Sequence, residues 1–460
     1  MKLRFKLLHY TIMSPLKAIA LLLFGAALLV PGKLSAQEQL TLEQAIKIGL
    51  ENNYDIRIAS TEQEIAENNL SYRNLALLPT IDGRVARDYS RNDVRNQFEN
   101  NEPRVVDNST NNTTNASVLL NWTLFDGGRM FINYNRLKSL DRSGQLLTKA
   151  TVENSLAAII DAYFEVVRQA RKINSIEDAI AISQQRVDIT QAQYELGVSA
   201  KVEILRAQVD FNADRSELLR QQELLQNAKI SLNQLLGRDP NIDFVTIDTI
   251  VVNTGLDPVN VSNNMMSGNP NLQRIQVNRD LALYDLRSAR SLRLPSIGLT
   301  GSYGFNRSLQ DPVIFGNTVG TNESQRLGFN YGVALTLPIF NGMDISRQVQ
   351  NSRITLESTT LAYSQEQNRL QSELARTYAR YVNRIQLLEL EESNVLLAKQ
   401  NADIAMERYR LGLLTAIELR EAQRNQLVAE NRLIDIQYEA KAAETELKRL
   451  SSSLLQESAN

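Results

Sequence analysis

The chain lacks cysteine, and its single histidine, His9, lies within the first 36 residues. Without cysteine, neither a disulfide framework nor a lipid-modified N-terminal Cys is available. Beyond His9 the chain therefore lacks the imidazole and thiol groups that serve as the usual general base, soft metal ligands and thiol nucleophile of enzymes. Chemistry by carboxylates alone stays open, but no spacing of acidic residues points to it. We predict no enzyme, no catalytic or metal site and no cofactor.

The first 36 residues have the three parts of a signal peptide. A basic region with Lys2, Arg4 and Lys6 precedes the apolar run Ala18–Val30, and small residues lead to Ala36. A transmembrane anchor is the alternative, but an apolar run of about 13 residues is short of the roughly 20 that a spanning helix needs. We predict cleavage after Ala36.

Basic charge is also scarce in the rest of the chain. The sequence has 50 Lys and Arg against 52 Asp and Glu, and the first 36 residues carry five of the basic residues and no acid. The mature chain would therefore carry 45 basic against 52 acidic side chains, a net charge of −7. A nucleic-acid binder needs a basic face that contacts phosphates. The charge balance predicts no nucleic-acid partner.

Proline and glycine are almost absent from two long tracts. No proline occurs between Pro103 and Pro240 or after Pro338, and glycine is nearly missing from the same regions. Because these residues break helices, we predict long helices at about 129–196 and 343–411, each about 100 Å long. Apolar residues recur there at helical spacing, which indicates helix–helix packing. Shorter helices are predicted at about 53–77, 199–236, 270–293 and 415–453.

The two halves of the chain are similar in sequence. Tyr194–Gln208 recurs as Tyr409–Gln423 after 215 residues, and Asn53–Ile81 aligns with Asn269–Ile297 at an offset of 216. A repeat of this length predicts two copies of one structural unit, which suit a ring or tube better than a closed active site. The predicted organisation is a first repeat at 37–236, a linker at 237–268, a second repeat at 269–453 and a tail at 454–460.

Within each half, the apolar period changes from helical to two. Leu327–Leu337, Ala116–Leu124 and Ile297–Phe305 each present apolar side chains on one face and mainly small or polar ones on the other. We predict β-hairpins at about 80–125 and 296–340, with strands of roughly 9–11 residues. A transmembrane β-barrel and a soluble sheet with one buried face both explain this pattern. The membrane-facing residues of a barrel would be Val118, Leu120, Trp122, Leu299, Tyr303, Phe305, Phe329, Tyr331 and Val333.

The first predicted strand has the weakest pattern, because Arg87 lies on its apolar side. The polar inserts at 90–113 and 306–324 are the predicted loops of the two hairpins. Asp126 and Asn341 follow the hairpins and are placed to cap the long helices. Four strands cannot close a barrel alone, because their edges would stay unpaired. A membrane barrel would therefore need strands from several chains.

A helix-turn motif occurs once in each half. Tyr194-x-x-Gly197 and Tyr409-x-x-Gly412 are each followed by Glu six residues after the glycine and by Ala-Gln at ten and eleven. With the signal peptide, the duplicated halves and one hairpin per half, this pattern resembles the TolC-like outer membrane efflux protein family over nearly the whole mature chain. The resemblance implies a homotrimer of mixed α and transmembrane β structure. A 12-stranded β-barrel, with four strands per chain, would continue into a long α-helical barrel.

The resemblance also implies a location and partners. The β-barrel would lie in the lipid of the outer membrane of a Gram-negative-type cell, with most of the chain in the periplasm. Tip turns at Gly197 and Gly412, together with Leu196 and Leu411, would contact a periplasmic adaptor (membrane fusion) protein. That adaptor would belong to an inner-membrane pump of the RND or ABC type.

Four residues near the tip correspond to the periplasmic gate of that family, and a fifth departs from it. Glu418 and Glu421 match an acidic, cation-selective ring and, three residues apart on a helix, share one face. Solvated surface glutamates are the alternative interpretation. Tyr409 and Glu203 match a pair that latches the closed state. Leu414 stands where the family's latch has an arginine, which leaves open how this chain would hold a closed state.

The function implied by the resemblance is a passive exit duct that completes a tripartite pump for small toxic compounds. The exit channel of a one-step (type I) protein secretion system has the same fold and is an alternative. Metal-ion efflux is disfavoured, because the mature chain offers few Met ligands and no His or Cys. A secreted coiled-coil structural protein would explain the helices but not the hairpins with apolar faces.

Overall fold

The computed structural model describes residues 38–71, 77–97, 102–315 and 318–457, so the predicted signal peptide and its cleavage site lie outside the described residues. The helices are α1 (Leu42–Asn52), α2 (Tyr54–Leu70), α3 (Arg129–Glu195), α4 (Lys201–Leu235), α5 (Pro258–Gly268), α6 (Pro270–Ser291), α7 (Asp344–Arg410), α8 (Ala416–Leu450) and α9 (Leu454–Glu457). The strands are β1 (Glu38–Leu40), β2 (Thr80–Asn96), β3 (Arg104–Asp126), β4 (Phe244–Thr246), β5 (Ser296–Phe315) and β6 (Thr318–Thr336).

The two longest helices, α3 and α7, contain 67 residues each, which corresponds to about 100 Å. α3 packs against α2, α4, α6 and α8, and α7 packs against α6 and α8. The helices α4 and α8, which follow them, contain 35 residues each. Shorter helices therefore line the long ones, and each long helix extends from the sheet to a turn at its far end.

The short helices are joined end to end by two equivalent asparagines, Asn53 and Asn269. The Asn53 side chain accepts from the first amides of α2 and donates to the last-turn carbonyl of Leu235 in α4 at 2.7 Å. The Asn269 side chain does the same for α6 and donates to the carbonyl of Leu450 in α8 at 3.2 Å. Both side chains are nearly fully buried, at 4% and 2% exposed. Each amide group thus satisfies both a helix start and a helix end.

Replacing Asn269 with Ala should lower the free energy of unfolding by about 2–3 kcal/mol. The change removes an N-cap and leaves a buried carbonyl without its donor. Denaturant unfolding of the purified protein measures this loss. Asn269→Ser, which restores a cap acceptor without the amide donor, should recover about half of it, and Asn260→Ala at an exposed position should have little effect. Equal stability of Asn269→Ala and the wild type would contradict the double role of this side chain.

The four-stranded sheet has the order β2-β3-β5-β6, and all its neighbours are antiparallel. Its strands contain 17, 23, 20 and 19 residues, so the expectation of 9–11 residues was wrong. The inserts 90–113 and 306–324, predicted as loops, are mostly strand. Backbone hydrogen bonds form a ladder whatever the polarity of the side chains, so the strands continue past the apolar alternation. The sheet therefore has an apolar part next to the helices and a polar part beyond it.

Three other expectations about the elements need correction. The helix expected at 53–77 ends at Leu70, and the helix expected at 415–453 ends at Leu450. The preceding helix α1 was missed, although Thr41 and Gln44 form a capping box that marks its start. The segment 237–268, expected to break both periodicities, contains β4, which pairs in parallel with β1, and α5. Elements this short do not extend long enough to show a period.

Neither Asp126 nor Asn341 is the N-cap residue of its long helix, because Gly128 and Met343 occupy those positions without a side-chain cap bond. Asp126 accepts from the amide of Met130 at 3.0 Å and so satisfies a free amide at the start of α3. α7 has no side-chain cap, and Asn341 offers only its backbone carbonyl, to the amide of Asp344 at 3.2 Å. The chain enters α7 through Met343, whose φ is 67°. An apolar residue therefore occupies the N-cap position of α7.

The buried core is divided into clusters along the helices. One cluster surrounds Leu156, Tyr163 and Phe244 in the first half, and another surrounds Leu370 and Tyr381 in the second. A smaller cluster lies where α7 ends and α8 begins.

Across the stretches that the structure describes, no helix is both long enough and apolar enough to cross a membrane.

Candidate functional site

The turns after α3 and α7 have the same geometry. Gly197 has φ 78° and Gly412 has φ 70°, which lie in the left-handed region. In the first turn, the amides of Gly197 and Val198 donate to the carbonyls of Tyr194 and Gln193, both at 2.9 Å. The second turn repeats this pair of bonds, which is the Schellman motif of helix C-termini. Glycine is favoured here because a β-carbon is strained at positive φ.

An exposed apolar tip surrounds both turns. The side chains of this tip are 65–79% exposed in the single chain, and they are Leu196, Val198, Leu411, Leu413 and Ile417. Apart from the local turn backbone, a β-carbon at Gly197 or Gly412 would lie within 4 Å of no heavy atom among the described residues, so the turns are open. The predicted contact residues Leu196, Gly197, Leu411 and Gly412 thus lie together with three apolar neighbours that the prediction missed. Grouped exposed apolar side chains are typical of an interaction surface.

Tyr409 connects the two long helices at the tip. Its hydroxyl lies 2.8 Å from the Thr190 hydroxyl, and both residues are buried. Thr190 donates its own proton to the carbonyl of Arg186 at 2.7 Å, so Tyr409 donates in this bond. The expected pairing of Tyr409 with Glu203 is not made within the chain. Glu203 instead pairs with Arg206 on its own helix at 2.8 Å.

Leu414, at the position of the family's latch arginine, packs against an apolar cluster. The buried members of this tip cluster include Met406, Tyr409 and Leu419, and Leu414 is a partly buried neighbour. An arginine at this position would have to place its charge against these apolar groups or turn away from them. The absence of the arginine is therefore consistent with the local packing.

An ion-pair cluster lies about two to five helical turns along the helices from the tip glycines and was not predicted. Arg420 of α8 makes two bonds with Asp214 of α4, at 2.7 and 2.9 Å, and lies 4.0 Å from Asp210. Arg186 of α3 pairs with Asp210. Arg186 and Asp214 are buried, at 2% and 8% exposed. The carboxylates raise the pKa of Arg420 above its ordinary value, and the cluster joins the tip helices of the two halves.

Sequence reasoning had one signal for this cluster, the spacing of Asp210 and Asp214. Residues four apart share a helix face, so two acids there require a basic partner if that face is covered. Which helix covers it is a matter of tertiary packing. The partner could therefore not be assigned from the sequence.

Glu418 and Glu421 are both exposed on the first turns of α8. The Glu418 carboxylate accepts from the backbone amide of Thr415 at 2.9 Å and from its hydroxyl at 2.7 Å. These donors hold the pKa of Glu418 below its ordinary value. Glu418 therefore completes a capping box at the start of α8, a structural role that was not predicted. Glu421 lines the groove between α8 and α4, which Glu203 also lines.

The sheet exposes the predicted apolar face in the single chain. Val118, Trp122, Tyr303, Phe329 and Tyr331 are among its exposed members. Leu120, Leu299 and Phe305 lie on the same face and are half-buried, and Val333 is exposed. Phe329 and Tyr331 stack with their ring centroids 6.3 Å apart. A continuous apolar surface of this size on one chain needs a cover.

Comparisons with known proteins agree with this architecture. The family described as outer membrane efflux protein matches residues 45–238 and 261–452. The chain is 20% identical over 396 residues to the outer membrane protein TolC of Vibrio cholerae, covering 85% of each sequence. It is 22% identical over 329 residues to the alkaline protease secretion protein AprF of Pseudomonas aeruginosa, covering 70% of this chain and 65% of AprF.

A solved structure shares the fold. The outer membrane channel CmeC of Campylobacter jejuni superimposes with a TM-score of 0.72 at 19% identity, covering 91% of this chain and 89% of CmeC. The family match spans both halves of the chain and confirms the resemblance inferred from the turn motifs and the repeat. The chain belongs to the outer membrane efflux protein family.

Proposed function

We propose that the chain forms a homotrimeric channel-tunnel that is the passive exit duct of a tripartite efflux pump. The pump exports small toxic compounds across the periplasm and outer membrane. The family is one of outer membrane channels and not of enzymes, so the energy comes from the inner-membrane partner. The single observation that carries the proposal is a four-stranded sheet with one exposed apolar face and two free edges.

The free edges mean that one chain cannot close a barrel alone. β2 and β6 are edge strands of the sheet, and their backbone groups on one side have no partner strand among the described residues. In a membrane such groups must be paired, which only a closed barrel achieves. The resemblance to the outer membrane efflux protein family implies three chains, and joining β6 of one chain to β2 of the next would then close a 12-stranded barrel. The long helices below then form the walls of a tunnel.

The oligomeric state tests the proposal directly. Protein purified in detergent should have about three times the chain mass by light scattering, and the same preparation should form channels in planar bilayers. We expect trimers and channels in the same preparation, because a single chain leaves two sheet edges unpaired and cannot close a barrel. A stable monomer that inserts into bilayers would overturn the proposal.

The tip supports the assignment of partners. The exposed apolar tip of Leu196, Val198, Leu411, Leu413 and Ile417 suits a periplasmic adaptor that joins the duct to an RND or ABC pump.

The similarity to AprF favours a second candidate function, the exit channel of a type I protein secretion system. Affinity purification of this chain from cross-linked cells distinguishes the two functions by the inner-membrane protein that co-purifies. An RND pump would support drug efflux. An ABC exporter whose gene lies beside that of a secreted protein would support secretion. The family match and fold are those of outer membrane channels rather than of a secreted coiled-coil protein.

Glu418 and Glu421 should make the tunnel entrance selective for cations. Threefold symmetry would bring six carboxylates into one constriction, whose field attracts cations. The double variant Glu418→Gln/Glu421→Gln removes the charges and keeps the capping box, since Gln also serves at that position. Reversal potentials in a salt gradient should shift towards zero, and block by trivalent cations from the periplasmic side should weaken about tenfold or more.

The matched control removes two charges from the same end of the molecule. Glu195 and Glu407 lie on the last turns of α3 and α7 and are exposed. Glu195→Gln/Glu407→Gln should leave selectivity and block unchanged. If the Glu418/Glu421 variant also behaves as the wild type does, these carboxylates face bulk solvent and the gate assignment is wrong.

A further inference from the structure

A row of basic side chains lies just beyond the apolar face of the sheet. Strand pairing aligns Arg87 with Thr114, and Thr114 with Arg307. The next row towards the helices is apolar and consists of Val85, Ala116, Phe305 and Leu327. Because side chains two residues apart point to the same face of a strand, Arg87 and Arg307 share the apolar face. The arginine that weakened the first strand's pattern thus belongs to a pair.

The position of this basic row along the membrane normal follows from the length of the apolar face. Leu327–Leu337 spans about 34 Å along the strand at 3.4 Å per residue, or about 26 Å across a membrane at a tilt of about 40°. That height matches the apolar band of roughly 25 Å in outer-membrane barrels. Arg87 and Arg307 lie two residues past the band, about 5 Å beyond it at this rise and tilt. This depth is the headgroup layer.

The side of the membrane is given by the chain path. Strands β3 and β6 enter the helices at Asp126 and Thr336, so the helices lie at one end of the sheet. The basic row lies towards the opposite end, where the hairpins turn. On the proposed barrel this end faces the cell exterior, so the row lies in the outer leaflet.

Both guanidinium groups keep donors free for an anion. The Nε of Arg87 donates to the Asn112 side chain at 3.1 Å, and the Nε of Arg307 donates to Glu323 at 2.8 Å. Each bond uses one of the five donors that a guanidinium carries. Both arginines are exposed, on strands that continue past them to Asn96 and Phe315. A rigid ladder rather than a hairpin loop therefore fixes their positions.

We propose that Arg87 and Arg307 bind the phosphate groups of phosphorylated glycolipids in the outer leaflet. The inference rests on the proposed membrane barrel and extends it to a specific lipid contact. Arginine matches the geometry of phosphate through paired N–H donors, and two neighbour-strand steps separate the residues by about 10 Å. Charge complementarity and depth favour lipid phosphates over a soluble anion. Glu323 offsets part of the charge of Arg307, so Arg87 contributes the larger share.

Native mass spectrometry of the purified protein with lipid A tests the inference. Arg87→Gln/Arg307→Gln should bind bisphosphorylated lipid A between about fivefold and 25-fold more weakly than the wild type, because each basic group near an anionic surface contributes about a factor of five and Glu323 offsets part of the Arg307 charge. Binding of dephosphorylated lipid A should be equal in both proteins. The control Arg84→Gln/Arg326→Gln removes two exposed arginines from the opposite face of the same sheet and should bind as the wild type does.

Several results would overturn the lipid contact. Equal binding of bisphosphorylated lipid A by the double variant and the wild type would do so, as would an equal loss in the control. Displacement of lipid A by millimolar inorganic phosphate would show a soluble-anion site instead. Oligomeric mass and bilayer channels are measured on the same samples. Failure of those measurements rejects the proposed channel, and their success with unchanged lipid binding rejects this inference alone.

Discussion

Gly412→Trp should reduce drug resistance to the level of cells that lack the protein. Gly412 has φ 70°, where a β-carbon is strained by about 1–2 kcal/mol, and it lies within the exposed apolar tip. A tryptophan there occupies the space that a partner's tip would need, since among the described residues only the local turn backbone lies within 4 Å of the position its β-carbon would take. Minimal inhibitory concentrations, measured in a strain without the native duct, give the loss.

Two controls distinguish a distorted turn or failed assembly from a blocked contact surface. Gly412→Asn should keep near-normal resistance, because asparagine tolerates the left-handed conformation and adds little bulk. The tryptophan variant should still form trimers in the outer membrane, because the turn lies about 100 Å from the sheet. Wild-type resistance in Gly412→Trp would show that the tip does not contact a partner.

Arg420→Ala should open the periplasmic end and raise single-channel conductance several-fold. Arg420 is the α8 member of the ion-pair cluster and binds Asp214 of α4. Removing it leaves the nearly buried carboxylate of Asp214 uncompensated, which costs about 3–5 kcal/mol in comparable buried pairs. The contact between the tip helices of the two halves is then lost. In this chain the ion-pair cluster would replace the family's latch, which uses an arginine at the position of Leu414.

The exchange Asp214→Arg/Arg420→Asp should return conductance towards the wild-type value, because it restores opposite charges across the same two helices. Arg432→Ala is the matched control. Arg432 pairs with Glu391 at 3.2 Å, which joins α8 to α7 within one half. Its loss should leave conductance unchanged. A low, wild-type conductance in Arg420→Ala would exclude the cluster as a latch, and an equal rise in Arg432→Ala would indicate general loosening.

The two long helices and the turns that end them were determined by short-range features of the sequence. Where proline and glycine are absent, nothing interrupts the backbone hydrogen bonds of a helix, and α3 and α7 accordingly begin and end within a residue or so of the expected positions. Gly197 and Gly412 end them, because glycine most readily adopts positive φ at a helix C-terminus. The alternating apolar residues likewise determined which face of the sheet is apolar.

Contacts between distant residues were decided only by the tertiary structure. Tyr409 bonds with Thr190 and not with Glu203, because packing brings α3 rather than the start of α4 against its hydroxyl. Arg420 contacts Asp214 for the same kind of reason, across 206 residues of sequence. Such pairings depend on which helix faces cover each other, and a single sequence does not specify this.

The sheet was determined partly by the sequence pattern and partly by the pairing of distant strands. Alternation in the sequence determined the apolar part of each strand, but strand length was decided by backbone pairing with neighbours, which continues through polar residues. That extension places Arg87 and Arg307 on a rigid ladder beyond the apolar face. By itself the sequence determined the two long helices, the turns that end them and the apolar face, because these depend on local backbone preference and periodicity. The tertiary structure decided the ion pairs, the end-to-end helix junctions and the basic row, because these require residues far apart in the chain to meet.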